Sequence, residues 1–230
     1  MTVKEYNMHI ASGFLSPPVW AGAAVVSAGA LAASLALARR HLDDRRVPLM
    51  GVMGAFIFAA QMVNFPVLPG TSGHLGGGFL LGILLGAPLG IIVMASVLAV
   101  QSLLFQDGGI EALGANIFIM GVLPCLLGAA VRGVWLRPKP GAAAYAVTLV
   151  AGILAIVAGA TGAILLLWLS DSLPRSISLV HALGLMGGIH AGIGVVEGVV
   201  SAAVVKFVLS TRRDAVLGPL GPDYAKGATQ

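Results

Sequence analysis

The stretch "GGFLLGILLGAPLGIIVMASVLAVQSLLF", Gly77 to Phe105, contains no charged residue. Read as one helix it crosses a bilayer once. Read as two helices broken at "GAP", Gly86–Pro88, it crosses twice and inverts every segment that follows. The loops on either side decide between the two, because short loops rich in Arg and Lys stay cytoplasmic. "RRHLDDRR" (Arg39–Arg46) precedes the stretch; "RGVWLRPKP" (Arg132–Pro140) and the cluster Lys206, Arg212 and Arg213 follow it. Only the broken reading puts all three on one side. It gives about seven spans, with the N-terminus outside, the C-terminus cytoplasmic and the acidic "QDGGIE" loop (Gln106–Glu111) outside. Against it, Gly78, Gly82, Gly86 and Gly90 form an i, i+4 row that would suit one continuous helix, and the first half is short. Short or interrupted spans are tolerated where they are buried among other helices, often beside a binding cavity.

The rest of the chain agrees with a membrane protein. Of 230 residues, 58% are hydrophobic and 10% charged, against about 25% charged in soluble domains. Apolar runs begin near Val19, Val47, Gly77, Glu111, Ala142 and Leu179; a span needs about 20 such residues. The expected fold is all-α: one polytopic transmembrane domain over residues 17–210, preceded by an N-terminal segment, 1–16, and followed by a cytoplasmic tail, 211–230. "MTVKEYNMHI" has no apolar core of signal-peptide length. The net charge of +4 sits in short loops, where it reports topology and contact with anionic lipid headgroups, not nucleic acid. Cys125, the sole cysteine, cannot form an intrachain disulfide and reads as a small buried filler.

Glycine, at 32 residues, is about twice its usual share of ~7%. Small residues let helices approach closely in lipid. Gly184, Gly188 and Gly192 form such a row on the last span, and Ala24, Ala28, Ala32 and Ala36 another on the first. Each row can serve packing inside the bundle or docking of a partner membrane protein.

Ionisable groups are costly in a bilayer and mark sites or pathways. Of the five histidines, His41 lies in a basic loop and reads as solvated. His9 and His74 both fall on the outer side, and imidazole is the commonest metal ligand. "FPVLPGTSGHLGGG" (Phe65–Gly78) holds His74 in a loop stiffened by Pro66 and Pro69, while Gly70, Gly73 and Gly76 permit tight turns. Asn64, Thr71 and Ser72 can anchor that loop or orient the second ring nitrogen of a ligating histidine. On the last span His190 and Glu197, seven residues apart, return to one helix face. They read as a buried hydrogen-bonded pair, or as groups that support a bound cation's ligands or pass the cation on. The chain has no G-x-x-x-x-G-K-[ST] for ATP and no H-E-x-x-H of an intramembrane zinc protease.

Three segments, "MHIASGFLSPPVW" (Met8–Trp20), "NFPVLPGTSGHLGGG" (Asn64–Gly78) and "QSLLFQDGGIEALGANIFIMG" (Gln101–Gly121), resemble the three main motifs of the CbiM/NikM family. These are the substrate-specific membrane components of energy-coupling factor (ECF) transporters, ABC transporters that import cobalt, for cobalamin biosynthesis, or nickel. The resemblance implies a non-enzymatic capture component in the plasma (inner) membrane of a prokaryote, with Co2+ or Ni2+ as substrate and no bound nucleotide. Its implied partners are a transmembrane coupling (T) protein, cytosolic ATPase subunits and a small accessory membrane protein. It also implies a ligand set: the terminal amine of Met8, the backbone and imidazole nitrogens of His9, and His74. An amine, a deprotonated amide and the adjacent imidazole form fused chelate rings, and His74 would complete a planar nitrogen field suited to nickel(II). Asn64 and Asn116 would anchor loops or support the ligands.

Two positions depart from the family pattern. MTVKEYN precedes Met8, so Met8 supplies an amine only as the mature N-terminus. Ser12 stands where the family usually has an acidic residue. Two other functions compete: capture of a small organic vitamin, which needs an apolar pocket with aromatic groups, and intramembrane hydrolysis using the histidines and Glu197.

Overall fold

The computed structural model describes residues 9–39, 42, 44, 46–68, 71–137 and 140–217, without the side chains of 64–72. Met8, His41 and the side chains of Asn64 and Ser72 therefore lie outside the described residues. Helix α1 (Pro17–Ala38) starts on two prolines, whose missing N–H costs nothing in a first turn. Helix α2 (Arg46–Gln61) leads into strands β1 (Asn64–Leu68) and β2 (Thr71–His74). Then come α3 (Gly78–Leu85), α4 (Ala87–Leu104), the short α5 (Leu113–Asn116), a π-helical segment (Ile117–Val122) and α6 (Leu123–Trp135). Helices α7 (Ala142–Leu169), α8 (Leu179–Thr211) and α9 (Arg213–Leu217) complete the fold.

Among the described residues, five helical stretches are long and apolar enough to cross a membrane: Pro17–Ala38, Ala87–Leu104, Leu113–Trp135, Ala142–Leu169 and Leu179–Thr211. Val25, Leu154, Trp168, Val196 and Phe207 project outward from them, side chains that suit lipid contact and not water. The chain is thus an all-helical polytopic membrane protein. Its hairpin is an addition to the expected all-helical pattern: β1 and β2 pair antiparallel, with Asn64 opposite His74 and Phe65 opposite Gly73.

The stretch from Gly77 to Phe105 is two helices. Gly86 joins them at φ +80° and ψ 163°, a conformation closed to residues with a Cβ, and Pro88 falls in the first turn of α4. Helix α3 has eight residues, all buried, so its backbone is shielded from lipid by its neighbours. The glycine row serves packing, not continuity. A Cβ at Gly78 or Gly82 would strike the carbonyl of Met120 or Cys125, and one at Gly128 would strike that of Phe79. Backbones of α3 and α6 are therefore in contact, with Cys125 fully buried between them, as its reading as a filler anticipates.

The other small-residue rows behave differently from a packing role. Gly184, Gly188 and Gly192 have nothing within 4 Å of where a Cβ would stand. The contact between α7 and α8 is made by Gly152, Gly194 and Gly198 instead, with a Gly194 Cβ falling 2.6 Å from Ile153 Cα. In the α1 row Ala24 packs tightly against Gly114, while Ala28, Ala32 and Ala36 are exposed.

Arg46, Arg132 and Arg213 gather at one end of the bundle. Arg132 donates to the carbonyls of Ile83 (2.7 Å) and Leu84 (2.5 Å), left over at the end of α3, and to that of Val216. Arg46 donates to Val216 and Leu217, and Arg213 to Leu136. The opposite end of α3 begins four residues after His74, so the arginines and the candidate ligands lie at opposite ends of that helix.

Candidate metal site

His9 and His74 meet across the fold. Their ring centroids are 5.2 Å apart at a tilt of 49°, although 65 residues separate them in sequence. His9 is held by the loop after α4. Ile10, its neighbour, is clasped on both sides by the Asn116 side chain: Ile10 N–H donates to Oδ1 and Asn116 Nδ2 donates to the Ile10 carbonyl, each at 3.2 Å. Gly109 N–H reaches the same carbonyl at 2.9 Å. Gly13 N–H donates to Glu111 Oε1 at 2.5 Å. The closeness of this approach needs glycine: a Cβ at Gly108, where φ is +87°, would stand 2.9 Å from His9 Cβ.

Each ring is oriented by an oxygen. His9 Nδ1 lies 3.1 Å from Asp107 Oδ2, and His74 Nδ1 lies 2.9 Å from the carbonyl of Leu75. Those oxygens accept, so in the neutral form each ring carries its proton on Nδ1. His9 Nε2 is buried and meets no hydrogen-bond partner among the described residues.

His74 is positioned by a buried polar clamp. Gly76 and Gly77 N–H donate to Glu197 Oε2 and Oε1 at 3.0 and 2.9 Å. Gln61 Nε2 donates to the Gly76 carbonyl at 2.7 Å, and Gln101 Nε2 donates to Gln61 Oε1 at 3.0 Å. All three side chains are buried. Helices α2 and α8 thus grip the Gly76 and Gly77 peptides, and α4 braces the α2 side chain that does so.

His190 and Glu197 share a face of α8 but do not form the hydrogen-bonded pair considered from sequence. Seven helical residues span about 10 Å, and each group bonds elsewhere: His190 Nδ1 donates to the Met186 carbonyl at 2.9 Å, and Glu197 to the loop. His190 does line the cavity of about 80 Å³ that His9, His74 and Asn116 line, with Met120 and Met186 among its remaining walls. Met120 comes from the π-helical segment, which ends two residues before Pro124 of α6. Proline interrupts the helical hydrogen-bond ladder there, and the widened turn faces the cavity. Among the described residues no three His, Cys, Asp or Glu side chains come together as a ready-made ion site.

Asp107, Gln61 and Gln101 were not singled out from the sequence. Asp107 stood in the "QDGGIE" loop as a topology marker only. The two glutamines carry the signal that would have flagged them, a polar side chain within an apolar helix.

The chain is similar to proteins named for metal transport. The family model described as "cobalt uptake substrate-specific transmembrane region" matches residues 9–215. A Haloquadratum walsbyi protein named as a metal transport protein is 38% identical over 218 residues, covering 91% of this chain and 93% of its own length. An Archaeoglobus fulgidus protein named as a fused nickel transport protein is 37% identical over 209 residues, covering 91% and 68%. The cobalt transport protein CbiM of Clostridium tetani is 36% identical over 126 residues, 54% of this chain and 52% of that protein. A crystal structure of a transition metal transporter superposes with a TM-score of 0.77 at 28% identity, covering 94% of this chain and 99% of that one. With the family match running over nearly its whole length, the chain belongs to the CbiM family and is a multi-pass membrane component of metal uptake.

Proposed function

We propose that this chain captures cobalt(II) or nickel(II) between His9 and His74, as the substrate-specific component of an energy-coupling factor transporter. The observation that carries this reading is the 5.2 Å approach of the two rings on one cavity. With metal–nitrogen bonds of about 2 Å, two imidazoles on one ion have centroids about 4.5 Å (cis) to about 6.5 Å (trans) apart. The observed spacing falls between the two. Met8 is a further ligand where it is the mature N-terminus. Release on the cytoplasmic side then falls to a separate coupling protein and its ATPases, because this sequence has no phosphate-binding loop.

Cavity size weighs against an organic vitamin. About 80 Å³ holds an ion and one or two waters, whereas organic ligands occupy roughly 300–1,000 Å³. The engagement of both Glu197 oxygens by backbone N–H groups weighs against that residue as a hydrolytic base. Calorimetric titration of the purified chain with nickel and cobalt tests the proposal. His9→Ala and His74→Ala should each weaken binding at least tenfold; unchanged affinity in His74→Ala would overturn it.

A further inference from the structure

We propose that α9 is a cytoplasmic strap whose docking on Arg132 and Arg46 keeps the ion site in its retaining form through α3, so that undocking the strap lets the ion go. This rests on the reading of the chain as a capture component for nickel or cobalt.

Helix α3 is held at both ends by groups from other helices. At its outer end Glu197 of α8 accepts from Gly76 and Gly77 N–H, just after His74. At its inner end, about 12 Å away for a helix of eight residues, Arg132 of α6 donates to the carbonyls of Ile83 and Leu84. The carboxylate stands at the N-terminus and the guanidinium at the C-terminus, as the helix dipole favours.

Between those ends α3 lies against the α6 backbone, since a Cβ at Gly82 would strike the Cys125 carbonyl and one at Gly128 that of Phe79. The two helices can therefore shift only as one body. That body has two joints. One is Gly86, at φ +80°; the other is the π-helical segment before α6, a widened turn that carries Met120 of the cavity wall.

The strap ties the inner end of this body to α2. Arg132 donates to the Val216 carbonyl, and Arg46 of α2 donates to the same carbonyl at 3.3 Å and to that of Leu217 at 3.1 Å. The side chains of Ala215 and Val216 are buried. The strap can nonetheless come away. A helix of five residues is not stable alone, and α9 is separated from α8 by the exposed Arg212, whose φ of −137° and ψ of 49° break the helix. Among the described residues no carboxylate pairs with Arg132. Undocking therefore strands no buried negative charge, and the guanidinium keeps Ile83 and Leu84. With the strap gone, the inner end of the α3–α6 body is free to move, and its outer end carries the peptides that place His74.

The test is hydrogen–deuterium exchange on the full chain in lipid nanodiscs, with and without nickel. Saturating nickel should slow exchange over residues 213–217 by about 5- to 150-fold. Linkage is reciprocal, so undocking must weaken nickel binding by the same factor. Val216→Ala and Arg132→Gln should each speed strap exchange in the metal-free protein and raise the rate of nickel loss to a chelator, by up to that factor. A guanidinium that merely caps α3 would leave strap exchange blind to nickel. Exchange over 213–217 unchanged by bound nickel in the wild type overturns the proposal and leaves metal capture intact; this result needs no variant, so it stands even where Arg132→Gln fails to fold. Faster strap exchange with unchanged nickel loss in Val216→Ala overturns it too. A wild-type chain that binds no nickel or cobalt overturns both readings.

Discussion

Glu197 and Gly76 are 121 residues apart in sequence and joined by a 3.0 Å hydrogen bond inside the bundle, the Gly76 N–H donating to Glu197 Oε2. The second oxygen takes Gly77 N–H, so one carboxylate on the last long helix satisfies two of the three N–H groups between His74 and α3. Glu197→Ala would strand two buried N–H groups, at about 1–3 kcal/mol each. The expected loss is about 2–6 kcal/mol, read by thermal or denaturant unfolding in detergent, together with weaker metal retention. A melting temperature equal to wild type would show that the clamp contributes nothing.

Gln61 and Gln101 form a chain onto the same loop, so their effects should not add. Gln61→Leu removes the donor to the Gly76 carbonyl and the acceptor for Gln101. Gln101→Leu removes a donor whose partner is already buried. The double substitution should cost less than the sum of the two by about 0.5–3 kcal/mol, measured by a double-mutant cycle. Strict additivity would mean that the two amides act independently.

Glycine substitutions should separate sharply by position. Gly128→Ala places a methyl against the Phe79 carbonyl, and Gly82→Ala one against that of Cys125; backbone cannot rotate aside. Each should cost about 1–3 kcal/mol or more by overpacking. Gly22→Ala and Gly29→Ala on α1 enter open space and should be neutral or stabilising by about 0.5–1 kcal/mol. Equal melting temperatures for Gly128→Ala and Gly22→Ala would contradict direct contact between α3 and α6.

The charge pattern predicts a topology that labelling can check. In a Cys125→Ala background, a cysteine at the exposed Ser176 should react with a membrane-impermeant maleimide in intact cells. Cysteines at the exposed Asp44 and Gly141 should react only after permeabilisation. The reverse pattern would invert the bundle.

Composition and loop charge alone determined that the chain is a polytopic helical membrane protein, and that Gly77–Phe105 breaks at Gly86. Both depend on local chemistry: hydrocarbon excludes charge, short basic loops stay cytoplasmic, and a Gly-Ala-Pro sequence interrupts a helix. The segment motifs likewise singled out His9, His74 and Asn116. Tertiary structure alone decided the rest, because these choices depend on which distant segments meet. Asp107 stands behind His9 from 98 residues away. His190 and Glu197, neighbours on a helical wheel, serve different places: one faces the cavity, the other holds the loop. Periodicity shows which residues share a helix face. It cannot show which face meets another backbone, and so the row at Gly78 and Gly82 is packed while the row at Gly184, Gly188 and Gly192 lies open.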